Sequence, residues 1–137
     1  MSTADVNERR TELLTFKACQ AGGVPHETVL YQKLVRDRIP ELIKSGGDHP
    51  ITRVLDNHEE YLAALFAKLI EEVGELCAAS RAEELNELAD VLEALTALAR
   101  ALGHTEEALA GAASAKRADR GSFAGRVWLE AVNLSPP

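Results

Sequence analysis

The clearest feature of the sequence is the recurrence of apolar residues three and four positions apart through its middle. Between residues 58 and 79 the pattern forms one apolar stripe, made up of Leu62, Leu65, Phe66, Leu69, Val73 and Leu76. Between residues 80 and 102 it forms a second stripe, made up of Leu85, Leu88, Leu92, Leu95 and Ala99. The spacing predicts two long amphipathic helices, one after the other.

Residues with cap-forming side chains mark where these helices begin. The predicted helices are Asp56 or Asn57 to about Ala79, Ser80 to before Gly103, and Thr105 to about Ala118, near Gly121. Glu59 or Glu60 completes a capping box at the start of the first helix, and Glu83 does so at the start of the second. Because only a short turn at Ser80 separates the first two helices, they are expected to form an antiparallel hairpin.

The chain before residue 56 is less regular. Apolar residues at helical spacing predict a short helix from near Asp37 to Gly46, with Pro40 in its first turn. Two β-prone runs, Ile51–Leu55 and Arg126–Val132, could pair as a minor β ribbon.

The pattern as a whole predicts an all-α fold: a helical hairpin bundle with supporting helices. A hairpin this simple usually completes its core by oligomerising, so a homodimer or homotetramer is expected. Residues 1–30 form a leader, with a short helix around Asn7–Gln20, and residues 31–137 form the domain.

Composition narrows the setting. No apolar run reaches bilayer length and the N-terminus lacks the apolar core of a signal peptide, so no membrane partner is expected. The two cysteines, Cys19 and Cys77, are too few for a disulfide framework. Reduced thiols and a cytoplasmic location are therefore expected.

Charge is distributed unevenly along the chain. The net charge is −7, but the segment Asp56–Glu93 holds eleven acids and two bases and so carries −9, leaving +2 for the rest. Nucleic-acid binding requires a contiguous basic face, which this arrangement argues against. An acidic centre between basic ends instead suits a carboxylate-bound cation with basic side chains available for phosphates.

The acids of the two long helices fall in pairs three residues apart, Glu72/Glu75 and Glu87/Asp90. Counted from the turn at Ser80, all four lie roughly 8–15 Å along antiparallel helices, which puts them at matching height. On a helical wheel Glu72 and Glu87 border the apolar stripes, whereas Asp90 lies further round. Glu71 falls roughly opposite its stripe.

Carboxylates that converge at a partly buried edge repel one another unless a cation neutralises them. Ligands that are all oxygen favour Mg²⁺ or Mn²⁺, and Mg²⁺ completes its coordination with water and substrate phosphates. The alternative is that glutamate-rich helices are simply solvated surfaces. Gly74, in the middle of a helix, indicates either close approach of another group or a helix-packing contact.

Three segments in this order resemble a known family. Glu71-Glu72-x-x-Glu75 followed by Glu87-x-x-Asp90 is similar to the signature of the all-alpha NTP pyrophosphatase superfamily, which includes MazG, dimeric dUTPases and phosphoribosyl-ATP pyrophosphohydrolase. The segment 31–40 resembles the opening of its MazG-like house-cleaning branch, and residues 116–129 resemble its C-terminal end.

The resemblance implies an obligate helical oligomer that cleaves a nucleoside triphosphate between its α and β phosphates, releasing the monophosphate and pyrophosphate. It implies that magnesium is bound by Glu72, Glu75, Glu87 and Asp90. Glu71 would be a further ligand or a base that orients water, which places Glu71 and Glu72 in the catalytic machinery.

Two basic clusters are candidate phosphate contacts: Lys33 and Arg36 near the start of the domain, and Lys116 and Arg120 at the end of the third helix. The alternative is that these cations offset helix dipoles and pair with acids. Lys68 could reach a phosphate or balance Glu72 one turn away, and the second interpretation is preferred.

Two other functions are compatible with the sequence. One is a non-catalytic helical oligomerisation or regulatory module, and the other is phosphoribosyl-ATP hydrolysis. The large aromatic side chains of Phe66, Phe123 and Trp128 are expected in the core rather than in base stacking.

Overall fold

The computed structural model describes residues 13–14, 27–134 and 136. It contains two short strands, β1 (Leu13–Leu14) and β2 (Thr28–Val29), and the helices α1 (Ile39–Ser45), α2 (His58–Ala78), α3 (Glu84–Ala101) and α4 (Glu106–Arg120). The chain divides into two compact units, residues 1–54 and 55–137. The described residues are mostly helical, which confirms the all-α class.

The first unit contains the strand pair and α1. The strands are antiparallel, with Leu13 opposite Val29. The helix predicted around Asn7–Gln20 is wrong at Leu13–Leu14, where backbone pairing with β2 takes the place of helical hydrogen bonds. The rest of that prediction lies outside the described residues.

Helix α1 agrees with its prediction to within two residues. It begins at Ile39 with Pro40 in the first turn, where the missing N–H costs no hydrogen bond. The backbone N–H of Gly46 donates to carbonyls of the last turn, and Gly47 then takes a φ of +96°, which ends the helix.

In the second unit, cap residues set the helix starts. The side chain of Asn57 accepts a hydrogen bond from the backbone N–H of Glu60 at 3.0 Å, which confirms Asn57 as the cap of α2. The hydroxyl of Thr105 accepts from the N–H of Ala108 at 3.1 Å and caps α4 in the same way. Helix α4 ends at Arg120, two residues later than predicted, before Gly121 with a φ of +83°.

The turn between α2 and α3 is built by Ser80 and Glu83. The backbone N–H and the hydroxyl of Ser80 both donate to the Glu83 carboxylate, at 3.1 and 2.8 Å. The predicted pairing is therefore present, but the hydroxyl donates to the glutamate instead of accepting from its N–H. As a result residues 81–83 form a turn, and α3 begins at Glu84 rather than at Ser80.

The predicted β ribbon is wrong. Neither Ile51–Leu55 nor Arg126–Val132 is a strand. An extended segment becomes a stable strand only when a neighbour pairs its backbone groups, and β propensity alone does not supply that neighbour.

Helices α2 and α3 pack against each other around a small core. Its buried apolar side chains are Leu65, Ala94, Leu98 and Ala99. Most of the two predicted apolar stripes stays outside this core: Leu85 is 77% exposed and Leu92 is 62% exposed. The buried sides of the helices are centred instead on Leu65, Lys68 and Glu72 of α2 and on Ala94 and Leu98 of α3.

The aromatic side chains expected in the core are not there. Phe123 is fully exposed, Trp128 is 85% exposed and Phe66 is 48% exposed. The segment that carries Phe123 and Trp128 follows α4 without forming a helix or strand, and both side chains lie in solvent. Among the described residues, no helix is long and apolar enough to cross a bilayer.

Candidate metal centre

Five carboxylates meet where α2 packs on α3, and we call them the carboxylate cluster: Glu71, Glu72, Glu75, Glu87 and Asp90. Helical spacing explains how they come together. Glu72 lies seven residues after the buried Leu65, and Glu87 lies seven residues before the buried Ala94, so each acid shares a face with a core residue. The cluster is therefore part of the packing surface and not of a solvated helix side.

Glu72 is the centre of the cluster. It is the buried charged residue of the core, with only 5% of its surface exposed. One carboxylate oxygen from each of Glu71, Glu72 and Glu75 lies within 4.8 Å of the other two, and the same holds for Glu72, Glu87 and Asp90. Glu72 belongs to both triads and so joins the acids of α2 to those of α3.

Lys68 supplies the positive charge that Glu72 needs inside the protein. Its Nζ lies 2.6 Å from Oε1 of Glu72 and 3.7 Å from Oε2 of Glu71. Desolvation alone would lower the pKa of Lys68, but the hydrogen bond to Glu72 and the charges of Glu71 and Glu75 raise that pKa above its ordinary value. Lys68 is therefore a positively charged partner of Glu72, which confirms the prediction that it balances Glu72 one turn away.

Glu87 is the least satisfied member of the cluster. Its Oε2 is buried and has no hydrogen-bond partner within the described residues. Desolvation, followed by the negative charges of Glu75, Asp90 and Glu72, raises the pKa of Glu87 above its ordinary value. A buried carboxylate oxygen without a donor costs free energy, so this atom is where a cation would be most stabilising.

These features fit a divalent cation that prefers oxygen. The donors are carboxylates, the ligand set for Mg²⁺ and Mn²⁺, and no histidine or cysteine belongs to either triad. Lys68 forms ion pairs with two of the five acids, Glu71 and Glu72, so its one positive charge is smaller than the negative charge of the cluster. Glu72, Glu75, Glu87 and Asp90 are the residues that would hold such an ion, and Glu71 lies beside them.

The four residues predicted to contact phosphate belong to other elements than the carboxylate cluster. Lys116 and Arg120 lie on α4, are exposed, and form no ion pair with the cluster among the residues that the structure describes; Arg120 pairs with the adjacent Asp119 at 3.6 Å. Lys33 and Arg36 belong to the first unit, where Lys33 lies 6.0 Å from the centre of the Tyr31 ring.

Sequence reasoning misplaced two members of the cluster. The wheel put Glu71 opposite the apolar stripe, yet its side chain is only 16% exposed and faces Lys68. The wheel also set Asp90 aside, yet it lies in a triad with Glu72 and Glu87. The usable signal was the pairing of Lys68 with Glu72 at i and i+4, which marks the true packing face of α2.

Among the described residues, Gly74 has no close neighbour outside the backbone of its own helix. A Cβ built there would meet no atom within 4 Å. A packing contact with another described segment therefore does not account for this glycine.

Comparison with known proteins adds one relative. An uncharacterized protein of Mycolicibacterium smegmatis is 62% identical over 47 residues, which cover 34% of this chain and 47% of that protein. The match thus spans about half the length of the relative. The chain matches no protein-family model. No solved structure matches it significantly.

Proposed function

We propose that this protein is a magnesium-dependent nucleoside triphosphate pyrophosphohydrolase, which cleaves the α–β bond of canonical or modified NTPs and releases a monophosphate and pyrophosphate. The observation that carries the proposal is the buried Glu72, shared by two carboxylate triads from two helices. The resemblance of the acid motifs to the all-alpha NTP pyrophosphatase superfamily supports it.

Each member of the cluster has a role in this proposal. Glu72, Glu75, Glu87 and Asp90 hold Mg²⁺, or Mn²⁺ in its place. When bound, the metal would neutralise phosphate charge and lower the pKa of a water molecule. Glu71 accepts a hydrogen bond from the attacking water and orients it, since its carboxylate lies beside Glu72 and Glu75.

Buried acids are expensive for a protein that does not use them. An interaction scaffold would lose little or no stability if the buried pair of Glu72 and Lys68 were replaced together by apolar residues of similar volume. The retained carboxylates therefore favour chemistry over the alternative of a non-catalytic oligomerisation module.

The exposed apolar stripes support assembly with a second copy. In a single chain Leu85, Leu88 and Leu92 are each more than half exposed, an arrangement that costs solvation free energy until another surface covers it. We propose a homodimer or homotetramer in which a further copy completes an antiparallel hairpin bundle.

Phosphate binding requires cations from outside the carboxylate cluster. A triphosphate carries more negative charge than one divalent ion neutralises, so cations from Lys33, Arg36, Lys116 or Arg120 would contact the outer phosphates. In the assembly, such contacts can come from a neighbouring copy. We place the enzyme in the cytoplasm, where nucleotides are abundant and the exposed thiol of Cys77 stays reduced.

The test is incubation of the full chain with a panel of canonical and modified NTPs, and with phosphoribosyl-ATP, in the presence of Mg²⁺. Products are separated by chromatography, which distinguishes pyrophosphate from orthophosphate. We expect monophosphate and pyrophosphate from at least one member. Orthophosphate release alone, or no product from any member, would contradict the proposal.

A pair of variants ties the activity to the cluster. Glu72→Gln removes the charge of the shared ligand at nearly constant volume and should lower kcat at least about a hundredfold, in the range seen when a key electrostatic contact is lost. Glu93→Gln makes the same change at an exposed position of α3 and should leave kcat unchanged. Circular dichroism checks that both variants keep their helices.

A further inference from the structure

We propose that Lys68 is a built-in counter-ion that keeps the metal centre closed to free divalent cations until a polyphosphate takes up its ammonium. The inference rests on the proposed function, because it concerns how the same cluster is loaded. Its basis is geometric: the ammonium already contacts the one carboxylate that both triads share.

The position of Lys68 makes it a competitor for the ion. Its Nζ lies 2.6 Å from Oε1 of Glu72, whereas a magnesium–carboxylate distance is about 2.1 Å. An ammonium and a divalent ion that share one carboxylate would lie only a few ångströms apart and repel each other. A metal that binds Glu72 must therefore displace the ammonium or accept that repulsion.

The burial of this region makes the competition strong. Glu72 is nearly buried and the side chain of Lys68 is only 19% exposed, so little solvent screens the two cations from each other. Withdrawing Lys68 also gives up its ion pairs with Glu72 and Glu71. A divalent ion that binds alone must therefore bear one of these two costs, the repulsion or the lost ion pairs.

A polyphosphate removes those costs. The lysine stem is flexible, and a displaced ammonium can pair with a phosphate oxygen of a ligand that brings its own metal. Metal and polyphosphate should then bind cooperatively, because each relieves a penalty that the other would meet alone. The enzyme would take up the metal–nucleotide complex as a unit and bind free metal weakly.

Calorimetry on the full chain tests this with two probes, free Mn²⁺ and a preformed manganese–tripolyphosphate complex. Lys68→Met removes the competing charge, so it should bind free Mn²⁺ at least about tenfold more tightly than the wild type. The same variant should bind the tripolyphosphate complex more weakly, since the phosphate loses a cation. Opposite changes for the two probes are not expected from general damage to the fold.

Two further variants serve as controls. Lys68→Arg keeps the charge and should retain the weak binding of free Mn²⁺. Arg100→Met removes a cation from an exposed ion pair with Glu106, outside the cluster, and should match the wild type with both probes.

A second measurement on the wild type covers the case in which Lys68→Met does not fold. Acetylation with an N-hydroxysuccinimide ester, followed by mass spectrometry, compares Lys68 with the exposed Lys44. Lys68 should react slowly without metal, several-fold faster when Mn²⁺ saturates the site, and slowly again with the tripolyphosphate complex. A rate for Lys68 that does not respond to Mn²⁺ would overturn the inference.

The outcomes separate this inference from the proposed function. Equal Mn²⁺ affinities for the wild type and Lys68→Met would overturn the role of Lys68 while leaving a functional metal centre. Failure of every folded protein to bind Mn²⁺ and the tripolyphosphate complex would overturn the metal centre itself, and the role of Lys68 with it.

Discussion

Glu87 makes the stability of the metal-free protein depend on pH. Its buried, unpartnered oxygen and its acidic neighbours raise its pKa, so its ionised form is less stable in the folded chain than in the unfolded one. The contribution of Glu87 to the free energy of unfolding is fully present below the pKa of the unfolded state, roughly 4.3. It is lost as the pH rises through the higher pKa of the folded state.

We therefore expect Glu87→Gln to stabilise the metal-free protein at pH values above the raised pKa of Glu87, where the wild-type carboxylate is ionised. The gain should fade as the pH falls from the raised pKa toward the ordinary carboxyl pKa, because wild-type Glu87 then becomes protonated in the folded chain. Thermal unfolding in a chelator from pH 4 to 8 measures this, with the exposed Glu93→Gln as the control. A gain that is the same at both ends of the range would show that ionisation is not the cause.

The residues of the cluster were only partly accessible to sequence reasoning. Glu72 and Glu87 followed from their spacing and from the turn at Ser80, since acid pairs three apart on adjoining helices must lie at similar heights. The height of Asp90 followed from the same spacing, but its place on the packing face did not follow from the helical wheel, and the resemblance supplied it. The wheel set Asp90 further round because the leucine-rich stripes were taken to mark the packing face, whereas the buried residues here are Leu65, Ala94, Leu98 and Ala99 together with Glu72.

At the scale of elements, helix starts were predictable because a cap is a local event. Asn57 needs only the N–H three residues on, and Thr105 needs only that of Ala108, so the sequence around each start contains the information. The β runs failed because a strand depends on a partner elsewhere in the chain. At Ser80 the partner, Glu83, was predicted correctly but the direction of the hydrogen bond was not, because the hydroxyl donates to the carboxylate rather than accepting from an N–H.

Replacing the cap of α2 should have a measurable cost that is confined to stability. Asn57→Ala leaves the N–H of Glu60 without its side-chain acceptor and should lower the free energy of unfolding by about 1 kcal/mol. Urea denaturation measures the change. Asn57→Asp keeps an acceptor and should stay near the wild type, so an equal loss in both variants would contradict the role of the cap.

At the scale of the molecule, the apolar patterns describe more contacts than one chain makes. An apolar stripe can serve contacts within one chain and contacts between chains. Helices α2 and α3 bury only part of their stripes against each other. The sequence therefore predicted the helices and misassigned the core, because periodicity does not say which neighbour a given apolar residue meets.

This view predicts that a charge on the α3 stripe acts on assembly. Leu92 is 62% exposed in one chain, so Leu92→Glu should cost the isolated chain little. If a second copy covers the stripe, the buried charge should dissociate the oligomer, which light scattering coupled to size exclusion measures. Ala113→Glu, on the exposed surface of α4, is the matched control. An unchanged mass for Leu92→Glu, equal to an oligomeric wild type, would place the interface elsewhere.

The link between α2 and α3 is only the segment 79–83, and its length has a consequence of its own. One inserted residue, if absorbed by α3, would rotate that helix by about 100° and swing Glu87 and Asp90 out of reach of Glu72. Residues of the link can be substituted as long as the hydrogen bonds between Ser80 and Glu83 are kept. The number of residues in the link cannot change, so natural variation in length is expected at the ends of this domain and not at its middle.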